Sequence, residues 1–457
     1  MPDIDAETSR PLPQWFDDAK FGIMVHWGPS SVPGFAPRSG RVWDVPDHFK
    51  ENPYAEWYRN SLKIEGSSTR AYHERVYGVD TPYERFGDAF KVASATWDAD
   101  EWASLFARAG ARYVVPIAKH HDGFLLWPSR HQNPHAPAGY FSTRDLMGEF
   151  AAAARAKGIR FGLYYSGGID WLWHDQLVRS MADLGAAIPR DPEYAAYAFA
   201  HWRELVERYQ PDVLWNDIYM PGTREALADL FAEYYAAHPD GVINDRWKVR
   251  GGPHGMESMA PHDFTTPEYE TASTIRAKKF ECVRGIGYSF GYNRDEGDDD
   301  YQKPRDLIHA LIDIVSKGGN LLLNAGPMAD GTIPALQRQR LEALGAWLAS
   351  SGGGIYGTRP WLRAEGVEGD GRPVRFTAKD GRVYAHVLDD LRPGGEAVLR
   401  ELRLAEGAEV TVLGSPGPLE WRQLAGGVAV AVRLPAGAEQ AHAYTLALPE
   451  SGVTTAG

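Results

Sequence analysis

The chain has 457 residues, of which 44% are hydrophobic, 24% charged and 12% aromatic, enough for two or three globular domains and unlike a disordered chain. Its formal net charge of -13 and pI of about 5.6 argue against nucleic acid or an anionic membrane as partner, because neither attracts a net-negative surface. The single cysteine, Cys282, excludes an intramolecular disulfide and suits a reducing compartment.

The first residues, MPDIDAETSR, lack a basic segment followed by an apolar run. No stretch is long and apolar enough to span a bilayer. A cytoplasmic protein of a bacterium is therefore expected, or a secreted one if a leader has been removed. In chain order, FGIMVHW (21–27) reads as a strand, and DADEWASLFARAG (98–110) as a helix closed by glycine. RYVVPIAKHHDGF (112–124) is strand then loop, DLMGEFAAAARAKG (145–158) helix, and IRFGLYYS (159–166) strand. The alternation continues through a helix at 197–209, PDVLWND (211–217), a helix at 224–238, and GVINDRW (241–247). It ends with a helix at 307–319 and NLLLNAGP (320–327). A barrel or a doubly wound sheet fits this rhythm. The number of strands, and the lack of a glycine-rich phosphate loop, favour a (β/α)8-like TIM barrel over residues 1–350. Two stretches break the pattern. Residues 28–96 read as loops and short helices. Residues 248–306 hold few clean helices and an acidic run at 295–300, read as a solvated loop. From residue 351 to 457 the segments are short, alternating and turn-bounded, which predicts an all-β sandwich domain whose expected role is to pack against the barrel.

Polar residues gather where the barrel strands end, the place where parallel α/β folds build their sites. Asp217 closes VLWND, with Trp215 two residues earlier on the same face of the strand. Strand-end Asp residues also cap helices, so the position alone does not assign chemistry. Lys119, His120, His121, Asp122 and Gly123 follow another strand. Adjacent histidines on extended backbone point apart, which suits hydrogen bonding to a polyhydroxylated ligand better than shared metal ligation. A metal would need His26 or His262 as a remote ligand. His26 and Trp27 pair a polar donor with an aromatic plate. Glu268 stands after Pro267, whose fixed φ stiffens the approach, and Glu270 is its neighbouring competitor. Arg246 is a candidate counter-charge or hydroxyl ligand. Of Tyr164 and Tyr165, one should face the site. No nucleophile elbow, phosphate loop, HExxH or CxxC motif is present.

Long blocks of the chain resemble the retaining α-L-fucosidase family of glycoside hydrolases. They include WFDDAKFGIMVHWGPSSVPGFA (15–36), YAEWY (54–58), WDADEWASLFARAGARYVVPIAKHHDGFLLWPS (97–129) and FGLYYSGG (161–168). PDVLWND (211–217), NDRW (244–247), TTPEYE (265–270), LLLNAGPMADGTIP (321–334) and IYGTRPW (355–361) continue the resemblance. It implies a (β/α)8-like barrel with a C-terminal β-sandwich, Asp217 as nucleophile and Glu268 as acid/base. It further implies sugar contacts at His26, Glu56, His120, His121, Tyr164 (or Tyr165), Trp215 and Arg246. Two positions depart from the family pattern, where Phe280 and Phe290 replace common tryptophans. Phenylalanine keeps an apolar wall but loses the indole N–H. Trp27 and Phe290 join the expected substrate contacts.

The implied reaction is exo-hydrolysis of terminal α-L-fucose from glycans by double displacement, with no metal or cofactor. A β-D-galactosidase-type activity, a catalytically inactive fucose-binding protein and a metal hydrolase on His26, His120 and His121 are the alternatives. Fucosylated oligosaccharides or glycoconjugates are the expected partners, with homo-oligomerisation and linkage preference left open.

Overall fold

A computed structural model describes residues 10–247, 249–250, 257–258, 261–424, 429–434 and 442–455. Residues 1–9, read above for targeting signals, lie outside the described residues, as does most of the 251–260 stretch.

The barrel strands are β1 (Phe21–Val25), β2 (Tyr113–Lys119), β3 (Arg160–Ser166), β4 (Val213–Asp217), β5 (Val242–Ile243), β6 (Glu281–Gly285) and β7 (Asn320–Ala325). All neighbours are parallel, in the order β5-β4-β3-β2-β1-β7-β6. Nearly every residue on them is buried, as expected when helices cover the outside of a curled parallel sheet.

The gap between the β5 and β6 edges is not filled by a regular strand. An extended stave at 264–268 bridges it, with Asn244 opposite Phe264, Thr265 opposite Phe280, and Glu268 opposite Val283. Asp263 N donates to Ile243 O at 2.9 Å on one side, and Val283 N to Pro267 O at 3.1 Å on the other. The stave thus completes an eight-membered ring, irregularly.

The helices between strands are α1 (Ala99–Ala109), α2 (Leu146–Ala156), α3 (Pro192–Tyr209), α4 (Arg224–Ala237), α5 (Pro304–Ser316) and α6 (Ala335–Ser351). Their ends follow from sequence. Asp98, Asp145, Asp191 and Thr223 each accept a backbone N–H in the first turn. Gly110 ends α1 in the left-handed conformation at φ 90°. Helices α3 and α5 begin earlier than periodicity suggests, because Pro192 and Pro304 supply ready-made first turns. Residues 28–96 form loops with short helices such as Tyr58–Lys63, Ser68–Val76 and Arg85–Ala93. Sequence reading did not anticipate α6 or β6.

The all-β region has β8 (Arg359–Val367), β9 (Pro373–Lys379), β10 (Arg382–Val387), β11 (Glu396–Arg400), β12 (Leu402–Leu404), β13 (Thr411–Val412), β14 (Trp421–Gln423), β15 (Ala429–Arg433), β16 (Tyr444–Pro449) and β17 (Val453–Thr455). They form antiparallel sheets β8-β9-β10-β16-β13, β11-β15-β14 and β12-β17 around a separate apolar core that includes Phe376, Val383, Leu399 and Leu446. This unit docks on α5 and α6. Arg375 pairs with Asp313, and Trp347 Nε1 donates to Ala443 O at 2.9 Å.

Candidate active site

A cavity of about 530 Å³ opens at the C-terminal ends of the barrel strands. Its lining includes Asp217, Glu268, His26, Glu56, His120, His121, Tyr164, Trp215, Arg246 and Phe290, and no residue of the all-β region. Sequence expectation therefore brings together all but one of its candidates.

Asp217 is the last residue of β4, in register with Ser166 of β3. Its two oxygens are separately held: Oδ2 accepts from Tyr164 Oη at 2.8 Å and Oδ1 from Arg246 Nη1 at 2.9 Å. The chain then turns sharply, with Ile218 at φ 46° and Tyr219 at φ 68°. A β-branched residue there carries strain of order 1–2 kcal/mol. The turn fits only because Gly168 faces it; a Cβ there would lie 1.3 Å from Ile218 O.

Glu268 hangs from the irregular stave. Its Oε1 accepts from Tyr54 Oη at 2.5 Å, and its Oε2 lies 3.6 Å from Arg246 Nη2. Tyr269, directly after it, also has positive φ, at 57°. The stave is tied by side chains as well as backbone. Thr266 donates from N and Oγ1 to Asp245 Oδ1 at 3.1 and 2.6 Å, while Arg246 Nε and Nη2 donate to Thr266 Oγ1 and O at 2.9 and 3.0 Å. Glu270 also lines the cavity but is exposed, and it is not among the carboxylates bound to Arg246 or Tyr54.

One guanidinium therefore touches both carboxylates, yet their charges are set apart. Burial would raise Asp217, but the Arg246 charge and the Tyr164 hydrogen bond outweigh it and hold the carboxyl below its ordinary value. Burial dominates at Glu268 and, with the Asp217 charge, pushes it up against the pull of Arg246 and Tyr54. One group is ionised more readily than usual, and the other keeps its proton longer.

The histidines are neutral. Burial lowers His26 to about 4 and His121 to about 3, and takes His120 well below its usual value. His26 Nδ1 donates to Asn324 Oδ1 at 2.6 Å, which leaves Nε2 as an acceptor. Ser166 spends its own proton on Ile169 O, so it accepts from His121 Nδ1 at 2.6 Å and again frees Nε2. His120 lies parallel to Tyr164 at 5.7 Å between ring centres, and Tyr164 stacks on Trp215 at 5.4 Å. Glu56 accepts from Gly291 N at 2.7 Å, and burial raises it to about 7. Among the described residues, no group of three or more His, Cys, Asp or Glu is arranged to hold a metal ion.

The structure chooses between the paired tyrosines. Tyr164 faces the site, while Tyr165 points to His201 Nδ1 at 3.0 Å behind the sheet. Trp27 is the correction. His26 N still bonds Ala325 O, so the extended backbone sends residues 26 and 27 to opposite faces. The Trp27 ring packs with Phe90, Trp97 and Trp102, reaching only a void of about 10 Å³, and its Nε1 donates to Met328 O at 2.7 Å. Of the two phenylalanines at departures, Phe290 lines the cavity against His26, whereas Phe280 is buried under Arg276 away from it.

Sequence reasoning missed Tyr54 and Glu281. Glu281 sits in the barrel interior, accepts from Trp215 Nε1 at 2.9 Å and from Tyr113 Oη, and is raised by burial to about 7. It steadies the indole behind Asp217. The aromatic-rich segment NPYAEWY gave a signal for Tyr54; nothing local gave one for Glu281.

The family model for alpha-L-fucosidase matches residues 1–353. The chain belongs to the alpha-L-fucosidase family. An alpha-L-fucosidase of Dictyostelium discoideum is 32% identical over 434 residues, covering 91% of this chain and 86% of that protein. A solved alpha-L-fucosidase superposes with a TM-score of 0.89 at 42% identity, over 98% of this chain and 99% of that one. The Thermotoga maritima alpha-fucosidase in complex with fucose does so with 0.85 at 42% identity and the same coverage. The alpha-L-fucosidase fold, a curled parallel sheet with an antiparallel β domain, is the fold seen here. Among the described residues, no helix of this family member is long and apolar enough to cross a membrane.

Proposed function

We propose that this chain is an exo-acting, retaining α-L-fucosidase in which Asp217 is the nucleophile and Glu268 the acid/base. The observation that carries the reading is the opposed state of two carboxylates on one guanidinium, Arg246, inside one cavity. Double displacement needs that opposition. An Asp217 oxygen bonds to the anomeric carbon as the bond to the leaving oxygen breaks, and the Glu268 proton passes to that oxygen. Water then loses a proton to Glu268 while its oxygen takes the anomeric carbon and frees Asp217.

His26 and His121 would accept sugar hydroxyl protons at Nε2, and His120 and Glu56 would bind other hydroxyls. Trp215 and Phe290 offer apolar surface for the 6-methyl group. A hydroxymethyl in its place would bury an unpaired hydroxyl there, which disfavours a β-D-galactoside. Fucosylated oligosaccharides or glycoconjugates are the substrates in this reading. A cytoplasmic location is part of this reading, supported by the single cysteine, which leaves no intramolecular disulfide to form; cell fractionation would test that.

The test is a trapping experiment. Incubation with 2-deoxy-2-fluoro-α-L-fucosyl fluoride should give a stable adduct whose peptide map assigns the label to Asp217. NMR of the first product from an aryl α-L-fucoside should show the α-anomer. A label on another residue, or a first-formed β-anomer, would overturn the assignment.

A further inference from the structure

Lys119 stands directly before the two histidines, yet the reaction gives it no part. It ends β2, is wholly buried and does not line the cavity. Its Nζ lies 3.3 Å from Oδ2 of Asp170, a residue of the loop after β3 that is also sealed from solvent. A buried pair is tolerated only when its remaining bonding positions are filled. Asp170 Oδ1 fills its own by accepting from Leu172 N at 3.1 Å, Trp173 N at 3.2 Å and Asn133 Nδ2 at 3.3 Å. Lys119 Nζ also donates to Ile169 O at 3.3 Å. Burial lowers the lysine against the pull of the Asp170 charge, and either of its forms has an N–H for each oxygen. Gly123, at φ 75°, leaves room for the carboxylate, since a Cβ there would stand 2.8 Å from Asp170 Oδ1.

The pair reaches His121 by two routes. Ile169 O takes the Ser166 hydroxyl proton at 2.8 Å as well as the Lys119 N–H, so Ser166 Oγ is left to accept from His121 Nδ1 at 2.6 Å. On the backbone side, Trp171 N donates to His121 O at 2.8 Å, and the Trp171 ring meets the imidazole edge-on at 5.5 Å. The 169–173 segment, pinned through Asp170, therefore grips His121 at both its ring and its carbonyl. Ser166 is opposite Asp217 in the strand register, which puts this relay beside the nucleophile. A neutral imidazole can offer Nε2 as donor or acceptor, and the bond made at Nδ1 decides which.

We infer that Lys119 and Asp170 are positioning residues that act through Ile169 O and Ser166 to commit His121 to the tautomer whose Nε2 accepts. The sugar hydroxyl that meets this ring is then read as a proton donor. The role of that hydroxyl rests on the proposed fucosidase activity, whereas the tautomer can be measured with no sugar present.

Lys119→Met, Asp170→Asn and Ser166→Ala are compared with the parent, and His121→Gln assigns the ring signals. In protein labelled with ¹⁵N-histidine, NMR of the parent should show His121 protonated at Nδ1 and bare at Nε2. Each variant should move part or all of that population to Nε2–H, which general loosening of the fold would not do. On an aryl α-L-fucoside each should lose about tenfold in kcat/KM. The 2-, 3- and 4-deoxy analogues locate the hydroxyl, as the one whose removal makes His121→Gln cost least. On that analogue the loss in each variant should shrink to about twofold, because the two changes remove the same contact. Should a variant of the pair not fold, Ser166→Ala breaks the same relay at its last link, and a parent-like tautomer there would overturn the inference. So would a parent protonated at Nε2, or equal losses on all four substrates. A parent that turns over no fucoside would strike the fucosidase reading and leave the tautomer result standing.

Discussion

The two carboxylates stand on two kinds of scaffold. Asp217 ends a regular parallel strand, paired residue by residue with β3 from Gly162 to Ser166. Glu268 ends a stave that meets its neighbours only at isolated bridges and contains Pro267, which has no N–H to give. A nucleophile must meet carbon along one line, and a strand end fixes that line through many backbone bonds. An acid/base must reach first a leaving oxygen and then a water, and its environment matters as much as its direction. The stave gives up ladder bonds and is fixed instead by Arg246, Thr266, Asp245 and Tyr54. Function at Asp217 should therefore depend mainly on its own carboxylate, and function at Glu268 on the side chains around it.

The largest effect tests the strand side. Asp217→Gly should cut turnover of an aryl α-L-fucoside by about 10⁴-fold, with an unchanged circular dichroism spectrum and melting temperature close to the parent. Added azide should then yield the inverted fucosyl azide, because the cavity left by the carboxylate admits an external nucleophile. Near-normal turnover would remove Asp217 from the reaction. On the stave side, Glu268→Ala should lose about 10³-fold on an unactivated disaccharide and far less on a 2,4-dinitrophenyl fucoside. Azide should raise the aryl fucoside rate and give the retained azide product. Equal losses on both substrates would point to Glu270 or another acid.

The same contrast explains what the sequence disclosed. Strands β1 to β4 and β7 announce themselves as apolar runs because both their faces are buried. The polar residues at their ends, including Asp217, His120 and His121, could be placed from that alone. Strand β6 hid behind Glu281, a carboxylate in the barrel interior that makes a core strand look like surface. The stave at 264–268 has no periodicity to read, so the local sequence offered Glu268 only as one of two neighbouring carboxylates, beside Glu270, and the family resemblance chose between them. Trp27 was misread because two residues beyond β1 the backbone still alternates, which sends it away from His26; beyond β2 the chain turns instead, and the adjacent His120 and His121, read as pointing apart, both reach the cavity with ring centres 4.0 Å from each other. Tyr54 lies in a loop far from Glu268 in sequence, and only the fold brings its hydroxyl to that carboxylate.

Arg246 is where the two scaffolds meet, and its removal separates them by pH. The acid limb of kcat/KM follows the ionisation of Asp217, and the basic limb follows loss of the proton from Glu268. The Arg246 charge lowers both groups. Arg246→Gln should therefore move both limbs to higher pH and cost about 10²-fold at the optimum, since the stave also loses its tie to Thr266. A shift of one limb alone would mean that the guanidinium serves one carboxylate and merely lies near the other.

Tyr54→Phe should give the smallest and most selective change. Its hydroxyl touches Glu268 and not Asp217, and the bond favours the ionised carboxylate. Without it, Glu268 should hold its proton to higher pH, so the basic limb should move up while the acid limb stays in place. The rate at the optimum should fall by about tenfold, because the carboxylate formed when the proton departs loses its donor. The loss should be greater for a disaccharide than for an aryl fucoside, since only the former depends fully on that proton. A merely structural role for the ring would lower both substrates alike and leave both limbs fixed. Selective movement of one limb would instead show that the stave's irregular backbone is offset by a single phenol that tunes the acid without disturbing the nucleophile.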